Sequence, residues 1–132
     1  MRLTLRADGT ADIATVWERY ANPQLWATWA PQIRRVECSA ERLALGVTGT
    51  VFGVIPNLGA KFEVVEFCAD DHRWVWDVSA GRVRMHLEHR SESRIGGGTS
   101  TALVVDGPAA AVLTYAPVAR ISLEALVRPP KT

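Results

Sequence analysis

Three histidines, fourteen carboxylates and five tryptophans carry most of the chemistry open to this 132-residue chain. The densest cluster is His86-Leu87-Glu88-His89. On a helix such spacing would hint at a metal site. The flanking residues alternate with period two, which reads as a strand, so His86 and Glu88 share one face and His89 takes the other. The three cannot converge without a bulge, no further ligand stands nearby, and a metal site is not expected. Either His86 and Glu88 form a solvated outer face, or one of the histidines projects inward as a polar anchor or acid–base group. Asp77, between Trp76 and Val78, falls in phase with Arg73 and Val75, and a cross-strand partner such as Arg82 or Arg84 is its plain reading. Glu66 shares phase with Phe62 and Val64, which should face inward, and a carboxyl there needs a partner or a raised pKa. The other reading of Glu66 is a strand end that reaches water. His86, Glu66 and Asp77 are therefore the candidate acid–base residues.

The tryptophans offer a different chemistry. Trp17 should fill the space between a helix and a sheet. Trp26, Trp29, Trp74 and Trp76 either line a pocket or fill the core, and flat rings give contact area with apolar ligands at low entropic cost. Gly96-Gly97-Gly98 precedes a strand and not a helix, so it lacks the amide-lined helix terminus of a phosphate loop. No GxSxG is present. Cys38 and Cys68 have no neighbouring basic group to stabilise a thiolate, form no CxxC, and read as small buried hydrophobes of a cytoplasmic protein.

Composition narrows the function classes. Hydrophobic residues make up 48% and charged residues 22%, which argues for a globular chain over a disordered one. A chain of this length can bury about two-thirds of its surface, enough for one core and one domain spanning residues 1–132. Fifteen basic and fourteen acidic residues leave a net charge of +1, with no footprint for nucleic acid or a membrane surface. Strictly apolar runs are only a few residues long, so no stable membrane insertion is expected. The start, MRLTLRADG, has no apolar secretory segment, and a cytoplasmic location follows as the expectation.

The elements that must position these residues follow from periodicity and turn chemistry. Leu3, Leu5 and Ala7 alternate with Arg2, Thr4 and Arg6 in a first strand. Thr10 or Asp12 can cap a helix whose Ile13, Val16, Trp17 and Tyr20 form one stripe. Asn22-Pro23 separates it from a second short helix over 24–29, which Pro31 stops. Period two then runs to about residue 107, with strand candidates at 33–38, 47–55, 62–67, 73–78, 83–88 and 99–105. Asn57-Leu58-Gly59, Asp70-Asp71, Gly81 and the triple glycine supply the turns. Short connections predict an antiparallel meander with one apolar face. Pro108 opens a helix over 109–127, in which Val112, Tyr115, Ala119, Leu123 and Leu126 form a rough stripe and Pro117 should kink or split the chain. The fold class is α+β, in the order β-α-α-β6-α. A seven-stranded sheet curved around one long helix seldom closes completely, and the space left over becomes a cavity.

This order resembles the START-like or SRPBCC superfamily with its helix-grip fold, most closely the polyketide cyclase/dehydrase and lipid-transport type. The resemblance is carried by Ala14-x-Val16-Trp17, Trp26-x-x-Trp29-x-Pro31, Gly46-x-x-Gly49, Arg73-Trp74-x-Trp76, His86, Gly98-Thr99 and Ala125-Leu126-Val127. It covers nearly the whole chain and implies a fold more firmly than a function, because the superfamily has no invariant catalytic signature.

The leading functional reading is a non-enzymatic binder of a small hydrophobic molecule (lipid, polyketide-like or isoprenoid), acting as carrier or sensor and needing no cofactor. The expected liners are Trp29, Phe52, Val64, Trp74, Trp76, Met85 and Leu87, with Tyr115, Ala119 and Leu123 from the helix. A cyclase or dehydratase on a polyketide-like substrate is the second reading, and it requires an ionisable group inside the cavity. A protein-interaction or stress-associated module is the third, favoured by an exposed cluster of tryptophans. A homodimer through a sheet edge or the terminal helix stays open.

Overall fold

In the computed structural model, which describes residues 1–53 and 59–130, seven antiparallel strands form one sheet. The strands are β1 (Arg2–Gly9), β2 (Arg35–Cys38), β3 (Thr48–Phe52), β4 (Gly59–Cys68), β5 (Arg73–Ala80), β6 (Val83–Ser93) and β7 (Thr99–Asp106). Their spatial order is β1-β7-β6-β5-β4-β3-β2. From β2 to β7 each strand pairs with its chain neighbour, as short turns dictate, and β1 closes against β7 from Arg2↔Asp106 to Gly9↔Thr99. The expected end of the 47–55 strand at Val54-Ile55 and the Asn57-Leu58 turn lie outside the described residues.

Helix α1 (Ile13–Ala21) starts where Asp12 accepts a hydrogen bond from the Thr15 N–H at 2.8 Å. That contact holds the Asp12 carboxyl below the usual carboxylate range. Val16 and Tyr20 are buried on the predicted stripe, and Trp17 is half-buried against Phe67 and His72. A 3-10 turn at Pro23–Leu25, capped by Asn22, leads into α2 (Trp26–Trp29). The Trp26 and Trp29 indoles donate back to the Tyr20 and Arg19 carbonyls at 2.9 and 3.1 Å, which folds α2 under the end of α1.

Helix α3 (Ala109–Leu126) lies across the apolar face, burying Val112, Ala119, Ser122, Leu123 and Leu126. Pro117 does not split it. The proline sits on the exposed side of the helix, above the exposed Leu113. The carbonyl that the proline ring cannot serve can there be hydrated. By length and composition α3 is apolar enough to cross a bilayer, with a mean hydropathy of 1.3 over 18 residues. Its apolar residues are not one unbroken run, and α3 covers the sheet while carrying Leu113 and Ile121 outward.

The C-terminal end of α3 is clamped. The Val127 carbonyl accepts from the Ala11 N–H at 3.1 Å. Arg19 Nη1 donates to the Leu126 and Arg128 carbonyls, both at 2.6 Å, and so caps the negative end of the helix. Gly9 allows this approach, because a side chain there would run into the Val127 backbone. Gly9→Ala should therefore destabilise the fold by about 1–3 kcal/mol, an overpacking cost, measured as a lowered urea midpoint with an unchanged slope.

Candidate functional site

The middle of the interior is filled with rings. His89 stacks on Trp74, its cross-strand partner, with centroids 3.8 Å apart and planes 5° from parallel. Trp26 lies near-parallel to Trp74 at 6.1 Å. Tyr20 stands edge-on to Trp29, Trp74 and His89, and Trp76 packs edge-on to Trp26 and tilted against Phe62. Only a space of about 40 Å³ survives among these side chains.

A larger cavity of about 280 Å³ opens beyond them, between β3 to β6 and the first half of α3. Trp76, Met85, Leu87 and Tyr115 wall it, together with Ile33, Val51, Val78 and Val83. Trp29, Trp74, Ala119 and Leu123 line the smaller space instead, and Trp76 and Tyr115 border both. Two expected liners are elsewhere. Phe52 points to the other face of β3, where the Arg35 guanidinium sits 3.9 Å above its ring. Its neighbour Val51 has the inward phase and lines the cavity instead. Val64 is fully buried in the core and borders neither space.

None of the three acid–base candidates reaches either space. Glu66 is displaced by a β-bulge: the register passes from Val64↔Trp76 to Glu66↔Val75, so Val65 is the extra residue and every later residue of β4 switches face. Phe67 turns toward the interior in its place, and Glu66, half-exposed, pairs with Arg73 at 3.2 Å. His86 and Asp77 stand opposite each other on the outer face, half-exposed, with Nδ1 2.5 Å from Oδ1. Asp77 thus takes His86 and not Arg82 or Arg84 as its partner. Beside them Arg73 Nε donates to Glu88 at 2.6 Å. Burial pushes the Glu88 carboxyl up, and the Arg73 hydrogen bond and charge, with Arg90 behind, overcome this and hold it below its usual range. Among the described residues no group of three or more His, Cys, Asp or Glu is arranged to hold a metal. Cys38 and Cys68 are half-buried and unbridged, more exposed than expected.

The histidine that faces inward is His89, opposite in phase to His86 and Glu88: it fills the alternative of one inward-projecting histidine, though it was not among the three named acid–base candidates. Its signal was its phase with Met85 and Leu87. Burial pulls its pKa down to about 3, only slightly opposed by a hydrogen bond with the Trp74 carbonyl at 3.3 Å. A neutral ring there donates through Nδ1, because a carbonyl can only accept. The interior side chains facing it are Tyr20, Trp74 and Trp76, none of them charged. Gln32 is the other missed polar group. It accepts from the Ser122 hydroxyl at 2.8 Å, tying the segment after α2 to α3, and it borders both spaces. No periodic signal in a loop could have found it.

No protein-family model matches the sequence, and no curated protein matches it. Solved structures do match. A protein of Nitrosospira multiformis superposes with a TM-score of 0.79 at 15% identity, over 96% of this chain and 94% of that one. Ara h 8.0201 gives 0.77 at 11% identity, over 96% and 94%. The major latex-like protein 151 of Panax ginseng gives 0.74 at 14%, over 96% and 97%. The fold is the helix-grip fold. The latter two neighbours are Bet v 1-like members of the START/SRPBCC superfamily, and at these identities the likeness speaks for architecture alone.

His89 binds its proton more weakly folded than unfolded, where a histidine titrates near 6.5. Its contribution to stability is therefore present above pH 6.5 and is lost as pH falls toward 3. Between pH 7 and pH 5 the wild type should lose about 2 kcal/mol more than His89→Phe, which keeps the stack on Trp74. Urea unfolding of both proteins at the two pH values reads this difference, and equal losses would place the His89 proton elsewhere.

Proposed function

We propose that this protein binds a compact apolar molecule in the cavity between the sheet and the first half of α3, as a cytoplasmic carrier or sensor. The observation that carries the reading is the wall of that cavity. Among the described residues its side chains are aliphatic or aromatic except for Gln32 and the Tyr115 hydroxyl, and burial pushes the Tyr115 phenol up to about 12, so the phenol is neutral at ordinary pH. Every 100 Å² of apolar ligand surface taken from water into such a wall contributes about 2.5 kcal/mol. Size selects among the ligands considered. A volume of about 280 Å³ stands at the low end of small-molecule sites. It suits a short isoprenoid or a one- or two-ring polyketide-like molecule better than a two-chain lipid. The cyclase or dehydratase reading has lost its proposed acid–base groups to the outer face.

The apolar fluorophore N-phenylnaphthylamine should bind with quenching of tryptophan emission, since Trp76 borders the cavity. Ala60→Leu, which projects extra methyl groups into the space beside Val51, should weaken that binding about tenfold. Its unfolding midpoint should stay close to that of the wild type. Titration of both proteins tests the site, and absence of any probe binding to the wild type would remove the reading.

A further inference from the structure

The apolar cavity and the smaller space of about 40 Å³ share Gln32, Ile33, Trp76 and Tyr115, so the two adjoin. The small space is large enough for one or two water-sized groups. Three side chains that border it, Trp74, Trp76 and Tyr20, each bear a buried polar atom (Nε1, Nε1 and Oη) without a protein hydrogen-bond partner. The side chains that bear them are 2%, 9% and 1% exposed. Tyr20 Oη lies near Thr101 without reaching hydrogen-bond geometry. By contrast, the indoles of Trp26 and Trp29 are both satisfied by backbone carbonyls of α1. The unpaired indoles are the two on β5: Trp76 borders both spaces and Trp74 the smaller one.

An indole N–H can only donate, and a buried donor left without an acceptor is costly. What completes this wall must bring an acceptor atom. The acceptor must also be uncharged. Among the described residues no lysine or arginine lines either space, and a carboxylate there would be desolvated with no such cation beside it to offset the loss. Resting on the apolar-cavity reading above, we propose that the space beside Trp74 and Trp76 is the polar end of the same site. The ligand class is then a compact apolar molecule bearing a neutral carbonyl oxygen, with its hydrocarbon body in the outer cavity and its oxygen against the indole N–H groups.

A matched pair of probes tests this: acetonaphthone, which carries the oxygen, and isopropylnaphthalene, which has nearly the same shape without it. Displacement of N-phenylnaphthylamine should show the ketone binding about 3- to 10-fold more tightly, the range expected for one net hydrogen bond. Trp76→Phe should erase most of that margin, read as the ratio of the two probes' affinities measured on the same variant. In the wild type, the indole N–H resonances of Trp74 or Trp76 should move downfield with the ketone and stay put with the hydrocarbon, a readout independent of how the variant folds. Equal affinities with unmoved indole resonances would overturn the carbonyl assignment while the apolar cavity stands. Naphthoate binding more tightly than the ketone would overturn its neutrality. Failure of both uncharged probes to bind would remove the cavity reading and this one with it.

Discussion

The Val127 carbonyl at the end of α3 reaches the Ala11 N–H over the bare Cα of Gly9, and the height of the helix above the sheet is set there. Arg19 reinforces the same end by donating to the Leu126 carbonyl and, just past the helix, to that of Arg128; these contacts hold the guanidinium in place although its partial burial lowers its pKa below the usual value. A helix fixed at one end over a twisted sheet cannot stay in van der Waals contact along its whole length. At the clamped end Ala119, Leu123 and Leu126 meet β1 and β7 closely enough to be fully covered. Around Tyr115 the space between helix and sheet is filled by large side chains or left open, although Val112, one turn earlier, is buried again.

Both solutions are used, in sequence along α3. The gap is first bridged by the slab of Trp26, Trp74 and His89, with Tyr20 and Trp76 against its edges. These rings leave about 40 Å³. Beyond Trp76 the wall changes to Val51, Val78, Met85 and Leu87, which are too short to close the remaining distance to Tyr115, and about 280 Å³ stays open. The tryptophans therefore answer both roles the sequence allowed them. Trp26 and Trp74 are chiefly filling, and Trp76 is the partition between filling and cavity. The neutral state of His89 belongs to the same arrangement, because a charged imidazolium face to face with Trp74 inside this slab would have no counter-ion.

How much of this was legible from the chain depends on which physical rule governed each residue. Element order, strand pairing and the covering helix follow from periodicity and short turns, and these rules are local. Inward phase placed Trp74, Trp76, Met85 and Leu87 on the covered face of the sheet. It failed for Glu66 because one extra residue, Val65, reverses phase, and a bulge leaves no mark in a β-rich run without glycine or proline. Phe52 has the outward phase, since Gly49 and Val51 share the register of Phe62 and Ala60. The Asp77–His86 pair was within reach of counting. With Ala80 opposite Val83 across the two residues Gly81 and Arg82, each step outward adds one residue to each strand, and Asp77 meets His86. The cavity's extent was not legible, since it depends on the helix-to-sheet distance that Gly9 and Val127 set from opposite ends of the chain.

The separation of charge from cavity bears on what kind of chemistry the fold can support. Arg73, Glu66, Glu88, Asp77 and His86 form a continuous polar surface on the outer face, one strand thickness from the rings inside. Backbone pleating keeps the two sets apart, for a side chain on one face cannot reach the other without a change of register. Acid–base work on a bound ligand would therefore fall to His89 or a tyrosine. Burial opposes charge on each of them, keeping the imidazole from taking up a proton and the Tyr20 and Tyr115 phenols from losing theirs. Such groups can orient a guest through hydrogen bonds, but moving a proton to or from it near neutral pH would run against the same desolvation that builds the site. The interior favours holding a molecule over transforming it.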